Sequence, residues 1–190
     1  MKNFLKSVKM LIICIINFIA ITSNCQAEQS IRISDYGLDR FVSEYNQNVD
    51  EFKSKFNFQY NLHMNDKIFH DKKSSDNIYD VYHTFSGPEG HGTIVIFYVN
   101  KEGYVSEVRL LFGCTDEISA LAAERINIIL FRTIGFTYDE ILKYILPNMQ
   151  KSPQSNKFGF YCMATKRIVY VEKYFQDNGL LRIDLYARVQ

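Results

Sequence analysis

The apolar positions of the chain fall into stretches of distinct period. Within residues 34–56, Leu38, Phe41, Val42, Tyr45, Val49 and Phe52 recur at spacings of three and four. Asp39, Arg40, Glu44, Asn48 and Glu51 lie outside that stripe. The pattern predicts an amphipathic helix with one face on a core, capped by Ser34 or Asp35. Residues 58–64 alternate weakly, as a short strand does. The polar run 66–77 predicts an exposed connection, and the Tyr-, Val- and Thr-rich run 78–85 predicts a strand.

Residues 86–92 hold three glycines and one proline, so they predict a loop. Residues 93–99 and 104–112 then form the clearest pair, joined through Asn100-Lys101-Glu102-Gly103 as a hairpin. The first of these strands is apolar on both faces and belongs near the middle of a sheet. In the second, Ser106, Val108, Leu110 and Phe112 share one face, while Glu107 and Arg109 share the other. One face is expected against a core and the other partly wet.

A helix is predicted over 116–134, with Ile118, Leu121, Ala122, Ile128 and Ile129 as its apolar set and Gly135 as its stop. Thr137-Tyr138-Asp139-Glu140 has the form of a capping box. It opens a short helix carrying Ile141, Leu142, Ile145 and Leu146, which Pro147 should end. A polar loop at 151–157 leads to three strands, 158–164, 168–175 and 180–189. The last two are joined across Asn178-Gly179, a hairpin signal. The order is helix, three or four strands, two helices, three strands. It predicts an α+β fold with an antiparallel sheet of about six strands and helices packed on one face. There is no regular βαβ alternation, which argues against a parallel doubly wound sheet.

Residues 1–27 stand apart from this pattern. Lys2, Lys6 and Lys9 precede a twelve-residue apolar run at 10–21, and small or polar residues follow, ending in Cys25-Gln26-Ala27. That is the layout of a secretory signal peptide cleaved after Ala27. The run is too short to span a bilayer as a helix, so no stable membrane span is expected after cleavage. A lipid anchor on Cys25 and a retained N-terminal anchor are the alternatives, and Thr22-Ser23-Asn24 before Cys25 argues against the former. The expected product is one α+β domain over 28–190, periplasmic or secreted.

Composition adds three constraints. The chain has 190 residues, formal net charge +1, and 15% aromatic residues. Such aromatic content belongs to a packed chain and not to a disordered one. After the leader and its three lysines are removed, 19 basic residues face 21 acidic ones, which is no footprint for nucleic acid. Of four cysteines, Cys114 and Cys162 remain, and an oxidising compartment predicts a disulfide between them.

The candidate chemistry is sparse. There is no Gly-x-Ser-x-Gly elbow, no phosphate-binding Gly-x-x-x-x-Gly-Lys, no His-Glu-x-x-His and no Cys-x-x-Cys. His63, His70, His83 and His91 lack the spacing of a metal site, so neither a metal nor a cofactor is expected. Ser86, Glu89 and His91 lie close in sequence, but a seven-residue loop does not hold a triad and an oxyanion hole rigidly. The loop residues Ser86, Gly87, Pro88, Glu89 and His91 are therefore read as a binding candidate. A Gly/Pro-rich loop beside a stiff hairpin can plug the cleft of another protein. The sequence predicts an exported, non-catalytic binding protein whose partner is another exported protein. The alternatives are a periplasmic inhibitor or immunity protein against a toxin or hydrolase, and a hydrolase whose site is assembled from distant residues.

Overall fold

The structure, a computed structural model, describes residues 32–65, 67–88, 91–113, 116–151, 156–175 and 180–187. The expected signal segment 1–27, Cys25, Glu89, Cys114 and the Asn178-Gly179 turn lie outside the described residues.

The fold is α+β. Helix α1 (Leu38–Phe56) is followed by β1 (Phe69–His70), β2 (Tyr79–Ser86), β3 (Thr93–Asn100) and β4 (Val105–Gly113). Helix α2 (Glu117–Ile134) comes next, then α3 (Tyr138–Glu140), a π-helical turn (Ile141–Ile145) and α4 (Leu146–Lys151). Strands β5 (Lys157–Cys162), β6 (Arg167–Phe175) and β7 (Leu180–Ala187) close the chain. All seven strands form one sheet in the order β1-β2-β3-β4-β7-β6-β5, and every pairing is antiparallel. The two-residue strand β1 brings the number to seven, against the six expected. Two meanders, β1–β4 and β5–β7, meet where β4 pairs with β7.

The periodicities explain the elements. The α1 stripe buries Phe41, Val42, Tyr45, Val49 and Phe52. Gly37, not Ser34 or Asp35, precedes its first turn, and no side chain caps it. Ser34 is used one step earlier, where its Oγ accepts from the Tyr36 amide at 3.1 Å. Asp116 caps α2 by accepting from the Ser119 amide at 2.8 Å, and Gly135 ends it at φ +123°, where any Cβ is strained. The buried set of α2 is wider than a single stripe: Ile126, Ile128, Ile129, Leu130 and Phe131 are all covered. Ile118 and Leu121 are only half-buried. The capping box at Thr137 and Glu140 is present. Pro147 does not end the helix, however. The π turn hands the Leu146 amide to the Ile141 carbonyl. Pro147 then lies in the first turn of a new segment, where its missing N–H costs nothing.

The expected strand at 58–64 shrinks to one bridge between Met64 and Ser86. The Asn46 side chain takes the place of a neighbouring strand: its Oδ1 accepts from the Met64 amide at 2.8 Å, and its Nδ2 donates to the Met64 carbonyl at 3.3 Å. Leu62 and Met64 are thereby pinned in the core.

On the sheet, Val95, Phe97, Val108, Leu110, Ile183, Leu185, Val169 and Val171 are buried and join the helices in one apolar cluster. Phe97 meets Phe41 of α1 edge to face, with ring centroids 5.8 Å apart. The Tyr45 hydroxyl is buried against Ser86 Oγ at 3.1 Å, and Ser86 Oγ donates to the Leu62 carbonyl at 2.7 Å. Burial with that single neutral partner pushes the Tyr45 phenol far above its ordinary value.

No disulfide is found at Cys162, and Cys114, the other half of the expected pair, lies outside the described residues. Cys162 is a free, buried thiol. Cys162 is therefore expected to react with an alkylating reagent only after unfolding, and a reductant should leave the melting temperature unchanged. Mass spectrometry of alkylated peptides and paired melts check this. A reductant-sensitive melt would restore the bond, since a loop of about 50 residues is worth about 4 kcal/mol.

Candidate functional site

Of the candidate loop, Ser86, Gly87, Pro88 and His91 are described. Ser86 is consumed by the core, as described above. His91 turns instead to the start of α2, where its Nδ1 lies 3.2 Å from Asp116 Oδ2 and 3.1 Å from Ser119 Oγ. Ser119 Oγ also donates to Asp116 Oδ2 at 3.0 Å. Serine, histidine and aspartate thus meet, but both oxygens face the same ring nitrogen. A relay needs the hydroxyl on one imidazole nitrogen and the carboxylate on the other. This cluster braces the helix cap against the loop. Gly87 takes φ +110°, and Pro88 accepts from the His91 amide at 3.0 Å, so the loop folds back on itself. Among the described residues, no group of three or more His, Cys, Asp or Glu could hold a metal ion.

A different site is built on the sheet face turned away from the helices. Alternation along each strand sends one set of side chains there, and the register lines them up in rows. One row runs Phe85, Ile94, Leu111, Arg182, Tyr174. The next runs His83, Ile96, Arg109, Asp184, Glu172, Lys157. The third runs Val81, Tyr98, Glu107, Tyr186, Tyr170, Gly159. The β2–β3 side of the face is largely apolar, and the middle, from β4 to β6, is charged and rich in tyrosine. A cleft of about 350 Å³ opens over the middle, floored by Glu107, Arg109, Asp184, Glu172 and Arg182.

Two carboxylates organise this middle. Asp184 is only 4% exposed. It accepts from Arg109 Nε at 3.0 Å and from Arg182 Nε at 2.8 Å, with a further contact from the Arg182 terminal nitrogen. Arg109 also donates to Glu107 at 2.9 Å and lies 4.9 Å above the Tyr98 ring. Arg182 lies 4.8 Å above the Tyr174 ring. Glu172 accepts from Lys157 Nζ at 2.6 Å and from the hydroxyls of Tyr174 and Tyr186. The Tyr170 and Tyr186 rings stack 5.6 Å apart.

The electrostatics follow from these partners. The bonds from Lys157, Tyr174 and Tyr186 hold the Glu172 carboxyl well below its ordinary 4.5, at about 2. Glu107 moves the other way: burial raises it, and Arg109 offsets this only in part. The hydrogen bond to Asp184 raises Arg182, and burial raises Tyr98. Glu172 is thus a fixed anion and hydrogen-bond acceptor, poorly suited to take up a proton near neutral pH. The face presents planar, oriented donors and acceptors among aromatic rings.

The lowered Glu172 pKa has a definite sign. Between about pH 4.5 and about pH 2 the unfolded chain binds the proton that the folded chain refuses, so stability rises with pH across that window. The contribution is complete above about pH 4.5 and is lost as the pH falls towards 2. Urea unfolding of the wild type and of Glu172→Gln checks this. The variant should show a flatter decline over that window, and an identical slope would remove Glu172 from the account.

The sequence reading placed Glu107 and Arg109 on a partly wet face but did not connect them to β5, β6 or β7. One signal was present: β6 and β7 carry Tyr170, Glu172, Tyr174, Arg182, Asp184 and Tyr186 at strictly alternate positions. Comparison with protein-family models, with curated proteins and with solved structures finds no match for this chain.

Proposed function

We propose that the protein is an exported, non-catalytic binding protein, and that its contact surface is the helix-free sheet face centred on Asp184 and Glu172. The observation that carries this reading is the closed set of charge pairs on that face. Arg109, Arg182 and Lys157 are matched by Glu107, Asp184 and Glu172, and tyrosine rings lie beneath each cation. A nucleic acid needs an excess of cations and would meet these carboxylates. A protein surface of interspersed charge suits them, and Tyr and Arg are the residue types enriched at protein interfaces. The partner is then another exported protein. The glycine-rich loop contributes less, because both of its ends are tied to the body of the fold.

The test uses the full chain expressed in its own cell, where the exported product should begin at Glu28 by intact mass. Its tagged form is used to capture partners from the exported fraction. A partner held by the wild type and by His91→Ala, and lost with Tyr98→Ser combined with Tyr79→Ser, whose ring lines the same cleft and meets Tyr98 edge to face, supports the reading. A partner lost with His91→Ala but kept by the face variant would move the site to the loop. A product retained in the cytoplasm would end the proposal.

A further inference from the structure

The two edges of the sheet are finished differently. The outer side of β2 is covered along its length. β1 pairs with it at His83 and Tyr82, Met64 bridges to Ser86, Asn65 donates to the Phe85 carbonyl at 2.9 Å, and Asp71 donates to the Val81 carbonyl at 2.8 Å. The other edge is β5. The Lys173 amide donates to the Asn156 carbonyl at 2.7 Å, in register with the β5–β6 ladder, so that pair is hydrogen-bonded. Hydrogen-bonded pairs alternate along an antiparallel ladder. Phe158, Phe160 and Cys162 therefore turn their amides and carbonyls to β6, while Lys157, Gly159 and Tyr161 turn theirs outward. The latter three are also the exposed residues of the strand. Among the described residues, the outward groups of Gly159 and Tyr161 have no bonding partner.

Edge strands of this kind are ordinarily guarded by proline, a bulge or several charges. β5 has no proline, its register is unbroken from Lys157 to Cys162, and its single charge lies at one end. The strand is also complementary to itself. We propose that β5 pairs antiparallel with β5 of a second copy of this chain, with the two-fold axis at Gly159.

In that register Gly159 faces Gly159 of the second copy, so nothing projects where the two backbones meet on the open face. Lys157 faces Tyr161 of the second copy, and Tyr161 faces its Lys157. The Lys157 side chain, its ammonium held on Glu172, then lays its apolar stem beside a ring that is 54% exposed in the single chain. On the other face Phe158 meets Phe160 of the second copy, and both rings are half-buried already. This register engages all three outward residues with one another. An axis at Phe158 leaves Tyr161 without a mate on β5, and an axis at Phe160 does the same to Lys157. The sheet would continue from one copy to the next, bringing the two Glu172 clusters onto one surface. The inference shares only the Lys157 side chain with the proposed binding face and otherwise uses the edge alone.

The experiment is sedimentation equilibrium of the mature chain over a range of concentrations, with amide exchange as a second reading. The wild type should form a reversible dimer, and the amides of Gly159 and Tyr161 should exchange more slowly as concentration rises while β3 amides do not. Tyr161→Pro removes an outward donor without touching the β6 ladder and should give a monomer with an unchanged melt. Tyr161→Lys sets two ammonium groups against Lys157 and should weaken the dimer about tenfold, and Tyr161→Glu should strengthen it by a similar factor. These charge variants and the exchange data decide the matter even if the proline variant folds poorly. A monomer at every concentration, a dimer indifferent to Tyr161→Pro with its fold intact, or charge variants that shift it in the same direction would each overturn the proposal. So would an edge occupied only by a strand of a different protein.

Discussion

An Asp184→Ala variant is expected to lose about 3 kcal/mol of unfolding free energy. The Asp184 carboxylate is almost fully buried on a sheet face that has no helix over it, and it serves two guanidinium groups at once. Removing it does more than delete two ion pairs. It leaves Arg109 and Arg182, each partly buried, with less to neutralise them, and the cost of an uncompensated charge exceeds the worth of the pair it came from. Arg109 keeps Glu107 and the Tyr98 ring, and Arg182 keeps the Tyr174 ring, which limits the damage. Asp184→Asn, which retains shape and one acceptor, should cost less. Urea unfolding with matched m-values measures both. A loss below about 1 kcal/mol for the alanine variant would mean that water readily replaces the carboxylate.

The second large effect is expected at Phe97. Phe97→Ala should destabilise by about 4 kcal/mol, and Phe97→Leu by less than about 1.5 kcal/mol. Phe97 is fully buried in β3, and its ring meets the edge of Phe41, also fully buried. The contact joins α1 to the centre of the sheet, so truncation opens a cavity at the seam between two layers. Neither layer can move in to fill it without disturbing the β2 and β4 ladders on either side. Thermal and urea unfolding of the two variants give the comparison. Equal losses would show that the ring is not packed against a rigid wall.

The local elements were legible because their signals are local. The stripe from Leu38 to Phe52, the Thr137–Glu140 box, the Asn100–Gly103 turn and the inward set Ser106, Val108, Leu110 and Phe112 each depend on a few neighbouring residues. What was not legible depends on tertiary context. Residues 58–64 lack a strand partner because the Asn46 side chain occupies it. Pro147 is tolerated because a π turn shifts the hydrogen-bond count just before it. The Cys114–Cys162 expectation rests on compartment alone, which carries no information about the buried, free state of Cys162. The polar site is the clearest case. Arg109 and Asp184 are 75 positions apart in the chain. Each reads alone as one more charge on a wet strand face, and only the β4–β7 register makes them partners.

That same β4–β7 pairing sets the order of events in folding. Every other neighbour in the sheet is joined by a short connection or lies within one meander. Gly113 and Leu180, opposite each other, have 66 residues between them, including all the residues of α2 and of β5 and β6. Compared with a four-residue hairpin, closing such a loop spans about four doublings of length, or about 2.5 kcal/mol of additional chain entropy. The two meanders can each gather locally, but the sheet is completed only by this long-range closure, and long-range closures slow folding. Leu110→Ala and Ile183→Ala, which thin the packing at this seam, are therefore expected to slow refolding in stopped-flow experiments, while a change at Phe158 on the far edge should mainly speed unfolding. The junction that unites the proposed binding face is, on this view, also the kinetic bottleneck of the chain.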